Sequence, residues 1–465
     1  MRTGSDRSAA FGITFAALGA GIVSSLGILL VPSIAAAYDV EVATAQWMLT
    51  ANLIAGVVAT PILGRLSDGG RPRRVMMLAI LSIGIGSVVC ALAPNFAVFL
   101  LGRILQGPSY ALFPVAAALA RRSVSEPRVL RSALAGLAVS GAVGTGLGYP
   151  ITGLLAEVGS FSTAFWFGAG YILLALVAVS PAIVPLRTVV EPVRHRFDYL
   201  GAVLLGGGLC GVLFYIAEGP TLGWLAPIGL VALAVGVLAL ACWVWQALRV
   251  PHPVIDLRGS LGAGVLLANL VTLVFGMTVY MVASGSGIVG QAPHSTGYGY
   301  AWTVAQAGWI MLPLTLGAYV SSIAVGKLSV RIGTEGRPVV WALAAGVAGA
   351  ALASGLLVFA HGWSVTFYLG MLVAGLGMGI AYGVMPLLIG RHVKATDFGS
   401  AMSFNQLLRT VGGSVGAALS GAIIASYSQG QVFPDPAGVV LNFAVPGLAA
   451  SALLGVLVIV ALRRK

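Results

Sequence analysis

Charge is scarce in this chain. Only 8 % of its 465 residues are Asp, Glu, Lys or Arg and 58 % are apolar, whereas a water-soluble domain carries about a quarter charged residues. Lipid is therefore its solvent. Acids are scarcer than bases, 13 Asp and Glu against 25 Lys and Arg, and none lies deep in a long apolar run, which disfavours a cavity with a buried counter-ion for a cation. Cys90, Cys210 and Cys242 all fall inside apolar runs and read as small hydrophobes, not as a disulfide or metal framework. The histidines, His195, His252, His294, His361 and His392, are scattered without metal-ligand spacing. With no nucleophiles, acids or ligands clustered at one depth, a membrane-embedded enzyme is a weak reading. Period-2 alternation is also missing, which argues against a β-barrel and leaves helices as the way to satisfy backbone polar groups in lipid.

The apolar runs match that expectation. A helix needs roughly 20 apolar residues to cross the hydrocarbon core, and runs near that length occupy 11–36, 47–63, 75–92, 96–119, 134–155, 165–184, 200–217, 225–248, 261–284, 302–325, 339–359, 365–388, 401–424 and 443–462. The first exceeds the apolar stretch of a signal peptide and has no clear cleavage site, so it is read as a span. Connections that alternate sides then segregate the charge. One set holds Arg65 to Arg74, Arg121 to Arg131, Arg187 to Arg196, Arg249 and Arg258, Lys327 to Arg337, and Arg391 with Lys394, and the termini add Arg2, Arg7 and the final Arg463-Arg464-Lys465. The other set contains no Lys or Arg. By the positive-inside rule both termini are expected in the cytoplasm, and the net charge of +12 needs no nucleic-acid partner.

A weak repeat divides the chain. Gly64-Arg65-Leu66-Ser67-Asp68 follows the second span and Gly326-Lys327-Leu328-Ser329-Val330 the tenth, the same loop of two six-helix halves once spans 7 and 8 are set aside. The expected organisation is a six-helix bundle over 1–190, a two-helix insert over 191–258 and a second six-helix bundle over 259–465.

The loop after span 2 resembles the G-x-L-x-D-r-x-G-r-[kr] signature of the major facilitator superfamily, with Gly64, Leu66, Asp68, Arg73 and Arg74 in place and Gly69-Gly70-Arg71-Pro72 departing from it. In span 4, Arg103-Ile104-Leu105-Gln106-Gly107 resembles the family's R-x-x-q-G signature. In span 5, Gly144, Gly148, Pro150 and Gly153 resemble the G-x-x-x-G-P-x-x-G-G signature of its antiporters, with Tyr149 inserted and Thr152 where a glycine is common. The chain thus resembles the fourteen-helix, drug:proton antiporter-like branch along essentially its whole length. The resemblance implies an all-α major facilitator fold in a bacterial inner membrane, exporting an apolar or amphipathic small molecule by alternating access, as a monomer, with the proton gradient and not a cofactor as driving force.

The residues carry physical reasons of their own. Asp68 can accept charge-assisted hydrogen bonds and latch the cytoplasmic side. Arg103 sits about seven residues inside its span, where a charge costs on the order of 2.5–3.5 kcal/mol, so it should face a cavity or a partner, with Gln106 one turn on along the same face. Arg409, nearer a helix end, is as easily structural as functional. Small residues around Pro150 suit close helix approach and a gating bend. Ser24, Ser25, Asn52, Asn269, Tyr280 and Tyr382 are cavity candidates, because in similar proteins spans 1, 4, 9 and 12 line the cavity. Span 1 offers only hydroxyls where cation exporters of the family often have an acid, so the proton carrier is sought at the periphery, at Glu157, Glu218 or Asp68. Passage of lipid acyl chains between leaflets is the main competing reading.

The fourteen-span topology is testable by accessibility. Single cysteines near Gln291 and near Arg194, in a cysteine-free background, are expected to react with an impermeant thiol reagent from outside and inside respectively. Reaction of both from one side would overturn it.

Overall fold

The structure, a computed structural model, describes residues 2–68, 72–180, 183–184, 198–251, 253, 255, 257, 263–332, 337–359, 364–392, 398–428 and 431–463. Among these residues the chain is helical throughout, without strands. The first half comprises α1 (Arg2–Ser25, resumed as Val31–Tyr38), α2 (Trp47–Asp68), α3 (Pro72–Leu92), α4 (Phe96–Gln106, resumed as Leu112–Ser123), α5 (Pro127–Val158) and α6 (Phe161–Ala178). Then come α7 (Tyr199–Leu222) and α8 (Pro227–Ala247). The second half comprises α9 (Ala263–Gln291), α10 (Val304–Trp309 with Met311–Ile332), α11 (Arg337–Val358), α12 (Ser364–His392), α13 (Phe398–Ser428) and α14 (Pro436–Arg463). Thirteen of these rods are long and apolar enough to cross a membrane. The remaining expected span, 134–155, falls within α5, several of whose side chains lie outside the described residues, as do the expected domain limits near 190 and 258.

Local sequence sets where the rods start. Asn95 accepts from the amide of Val98 at 3.0 Å to open α4, Asp198 accepts from Gly201 at 2.8 Å to open α7, and Thr303 forms a reciprocal capping box with Gln306 at the head of α10. Besides the brief interruption of α10 at Ile310, two expected spans are not the uninterrupted rods the apolar pattern suggested. The first breaks at Gly27, whose φ of 105° is left-handed and open in practice only to glycine, and α4 tightens to a 3-10 turn over Gly107–Ala111 where Pro108 cannot donate. Hydropathy averaged over a span sees neither break, because Leu26–Leu30 is apolar and the five residues Gly107–Ala111 lie inside a run that stays apolar overall.

Packing follows small residues, since lipid removes the hydrophobic drive between helices and leaves close contact to hold them. A side chain at Gly276, Gly412 or Gly416 would run into the facing backbone of α13 or α9, so those two helices touch main chain to main chain. In the same way α7 lies on α8 through Gly208, Gly211 and Gly236. The α7–α8 pair is no outlying appendage: Ala202, Leu205, Leu209 and Leu213 of α7 share one apolar core with Ile54 and Val57 of α2 and Leu407 and Ala418 of α13, touching both halves. At the end that holds the N-terminus, Asp6 reaches under α5 and accepts from the amides of Ser125 and Glu126 at 3.0 and 2.9 Å, a carboxylate on unpaired donors at a helix start.

The halves meet most closely at the end away from the termini. Gln291 of α9 donates to the carbonyl of Leu29 at 2.9 Å, and Gln46 donates to Ser284 at 2.6 Å. A Cβ on Gly153 of α5 would stand 2.6 Å from the Val304 carbonyl, and one on Gly308 of α10 would stand 2.8 Å from that of Tyr149. One apolar core runs continuously through both halves here, whereas Val265, Leu343, Val384, Leu388 and Leu457 belong to a second core made from the second half alone.

Gly153→Leu should wedge this contact open. Overpacking typically costs about 1–3 kcal/mol, which displaces a two-state equilibrium roughly 5- to 150-fold. The expected result is normal membrane expression with increased reactivity of a cysteine at Thr315, beside Gly146 of α5 on the same seam.

Candidate transport site

The largest fully buried side chain among the described residues is Arg103, at 0 % exposure. Its Nε donates to the carbonyl of Met48 in α2 at 3.2 Å and its Nη1 to Oε1 of Gln106 at 2.6 Å. Gln106 Nε2 passes the network to Ser87 of α3 at 2.9 Å, and Ser87 ends it on the Ile83 carbonyl at 2.9 Å. The Arg103 guanidinium lies over the Phe165 ring at 5.8 Å to the centroid, close enough for cation–π attraction. No carboxylate lies within ion-pair distance among the described residues, and Nη2 has no hydrogen-bond partner. Dipoles and a ring therefore hold a formal positive charge in a lipid-solvated bundle. The breaks bring them in: a Cβ on Gly27 would collide with the Met48 side chain and sit 3.7 Å from Arg103 Cζ, and one on Gly107 would collide with Ala55.

A second polar group bridges the halves. Tyr110, in the 3-10 turn of α4, shares a 2.7 Å hydrogen bond with Tyr280 of α9, and Asn52 approaches the Tyr110 hydroxyl at 3.4 Å. Both tyrosines keep accessible surface although they stand mid-helix, so they border internal space. Gly413 of α13 packs on the Tyr280 ring, and Arg409 one turn before it lies over the Tyr382 ring at 5.2 Å. Tyr149 is buried beside them, 3 % exposed. This space is lined by phenols and one guanidinium, with no carboxylate from the described residues.

The sequence candidates thus separate. Asn52, Tyr280, Tyr382, Arg103, Gln106 and Arg409 take part in these two groups. Ser24 and Ser25 do not: their hydroxyls donate to the Gly21 and Ile22 carbonyls of α1, and Ser25 packs against Gly148. Asn269 accepts from Asn405 at 3.0 Å and lines a groove of about 190 Å³ with Leu266, Leu270, Leu273, Phe404 and Leu408. Gly144 seats α5 on Gly21 of α1, while Pro150 lies within an unbroken α5, against Gly308. In the loop signature, Arg73 donates to the Val184 carbonyl at 2.5 Å, Arg74 is exposed, Gly64 has open space beside it, and the Asp68 side chain lies outside the described residues. Glu157 is exposed, and Glu218 accepts from Trp47 Nε1 at 2.6 Å.

Sequence reading missed Tyr110, Ser87, Gln46, Trp47 and Ser284. The Gly107-Pro108 pair, two residues before Tyr110, was the available signal. The others are ordinary polar residues whose partners lie far away along the chain.

Similar proteins share the architecture. The crystal structure of the peptide transporter POT superposes with a TM-score of 0.69 at 15 % identity, covering 98 % of this chain and 94 % of that one. A multidrug resistance protein B homolog from Mycobacterium tuberculosis is 27 % identical over 88 % of this chain and 77 % of its own length. The methylenomycin A resistance protein of Streptomyces coelicolor is 28 % identical over 96 % of this chain and 91 % of its own, and the tetracenomycin C resistance and export protein of Streptomyces glaucescens is 28 % identical over 92 % and 76 %. With the profile of the Major Facilitator Superfamily matching residues 9–352, on a helical bundle of this shape, the chain belongs to that superfamily and is a multi-pass membrane transporter, not an enzyme.

Proposed function

We propose that this transporter exports neutral or anionic amphipathic small molecules, drugs or metabolites, from a bacterial cell across the inner membrane, by alternating access coupled to the proton gradient, as a monomer in the lipid bilayer. The observation that carries the reading is the charge of the inter-half space. It holds Arg409 with Tyr110, Tyr280 and Tyr382, Arg103 lies behind it, and no carboxylate from the described residues balances them. A dication entering there meets uncompensated positive charge in a low-dielectric medium, whereas a neutral ring system meets aromatic faces and an anion finds a partner. Export is supported by what the resistance and export relatives are named for.

Alternating access is supported by the asymmetry of the seam. The largest apolar core shared by the halves lies toward the end away from the termini, the end the positive-inside rule expects outside, and this supports reading the molecule as inward-facing. Arg103 ties α4 to α2 and α3 within the first half, at the residue next to the Gln46 and Trp47 contacts with the second half and the insert.

Arg103→Ala should abolish transport with near-normal membrane insertion. Arg103→Lys should restore little, since a single ammonium cannot reproduce the fork that spans Met48 and Gln106. Full transport by the alanine variant would remove Arg103 from the mechanism.

Proteoliposomes with an imposed pH gradient test driving force and selectivity together. Neutral and monoanionic amphiphiles should move faster than size-matched dications, and their movement should collapse with the gradient. Strong gradient-driven transport of a dication would refute the charge preference, and transport indifferent to the gradient would refute the coupling.

A further inference from the structure

Three consecutive residues at the start of α2 reach three different parts of the molecule. Gln46 donates to Ser284 of α9 at 2.6 Å, and Ser284 also accepts from Ser420 of α13 at 3.1 Å. Trp47 Nε1 donates to Oε1 of Glu218 on α7 at 2.6 Å. The Met48 carbonyl holds Arg103 Nε at 3.2 Å. Less than one helical turn therefore ties the second half, the two-helix insert and the buried arginine of the first half to one another. Gln46, Ser284 and Ser420 are buried and cannot ionise; Arg103 is sealed at 0 % exposure; Glu218 is only half-buried, at the bundle end away from the termini.

Glu218 is held as an acceptor. Oε1 takes the indole N–H and Oε2 takes the Thr221 hydroxyl at 2.8 Å. Few other titratable groups stand on the elements around it. α8 brings only Cys242, α13 brings Arg409 and Tyr427, α2 brings Arg65 and Asp68 at its opposite end, and α7 itself adds Tyr199, Cys210 and Tyr215. Asp39 and Glu41 precede α2.

A proton from water at that end converts the carboxylate to the neutral acid. On Oε1 the new O–H faces an indole N–H that can only donate, and the bond to Trp47 is lost. On Oε2 the Thr221 hydroxyl turns to accept, and the bond to Trp47 loses its charge assistance. Either way the insert's hold on the start of α2 weakens, and the adjoining Gln46–Ser284 bond, which closes the two halves, loses support.

We propose that Glu218 is a proton-binding site in the two-helix insert, and that its protonation from the outer solution unlatches Trp47 and favours separation of the halves at that end. The proposal rests on the proton-coupled reading above and gives the insert its role: it carries the group through which outer pH acts on Gln46, Met48 and Arg103.

The test reads the gap directly, without transport. Spin labels at Ala37→Cys and Gln431→Cys, exposed positions on the two halves at this end, are placed in a background lacking the native cysteines, and the purified protein is studied in nanodiscs by double electron–electron resonance. Lowering the medium from about pH 8 to about pH 3.5, below the ordinary carboxylate value, should raise the ratio of wide to closed separations toward the roughly 5-fold that a coupling of about 1 kcal/mol gives at full protonation. Glu218→Gln, a neutral mimic of the acid, should hold the acidic wild-type distribution at every pH. Trp47→Phe should do the same with the carboxylate intact. A wild-type distribution that ignores pH, or a Glu218→Gln variant that responds like the wild type, would overturn the latch. Parallel export assays separate the two readings. Gradient-independent export with an intact distance response would strike the coupling and leave the latch standing, while gradient-driven export with no distance response would strike the latch alone.

Discussion

Burying one guanidinium without a carboxylate beside it is the constraint from which much of the first half follows. Each polar atom of Arg103 that leaves water must find an acceptor or cost free energy comparable to a lost charged hydrogen bond, on the order of 1.5–3 kcal/mol. The acceptors come from a backbone carbonyl of α2 and from Gln106 one turn along α4, which is itself fixed by Ser87 of α3. A carbonyl at the start of α2 reaches the middle of α4 only if the helices cross closely. Gly107 against Ala55 permits that approach, and the left-handed turn at Gly27 makes room for the Met48 side chain. The glycines are thus the steric condition for the charge.

The second half is built around main-chain contact between α9 and α13, with an internal cation, Arg409, laid over an aromatic face. The difference matters for motion. Helices joined backbone to backbone through glycine have little freedom to slide, so each half moves as a block. The surface between the blocks is apolar side chains, one close glycine approach of α5 to α10 at the end away from the termini, and a few directional bonds, Gln46–Ser284, Gln291–Leu29 and Tyr110–Tyr280. Apolar contact is non-directional and survives a change of relative orientation, whereas a hydrogen bond between two side chains is kept or lost. Those few bonds are the places where such a molecule can be two-state.

What was legible in the sequence divides along the same line. Apolar run length reports on each helix alone against lipid and read the all-helical membrane architecture well, while the short loop and span motifs read the superfamily. Arg103 and Gln106 stood out because the cost of an intramembrane charge is a property of one residue and its neighbour three positions on. Ser24 and Ser25 misled for the converse reason: a hydroxyl in a lipid-solvated helix can satisfy itself on the carbonyl three or four residues back, so its presence says nothing about a cavity. Tyr110 and Tyr280 are separated by 170 positions, and Gln46 and Ser284 by 238. Neither member of either pair is unusual alone, and only the fold reveals that they meet. The break at Gly27 was hidden similarly, since hydropathy is blind to the sign of φ.

The insert completes the argument about motion. A pair of helices resting on both halves would resist their separation if it were bound to them by many directional contacts. Instead α7 meets α2 and α13 through Ala202, Leu205, Leu209 and Leu213, a smooth aliphatic face over which either neighbour can shift with little change in buried area. Its directional bond to the first half is concentrated at Glu218 and Trp47, at the very residues where α2 also grips α9 and Arg103. A greasy contact along most of its length, with one ionisable tie at its end, lets a helix lie across a moving seam without immobilising it, and confines its influence on that seam to the charge of a single carboxylate.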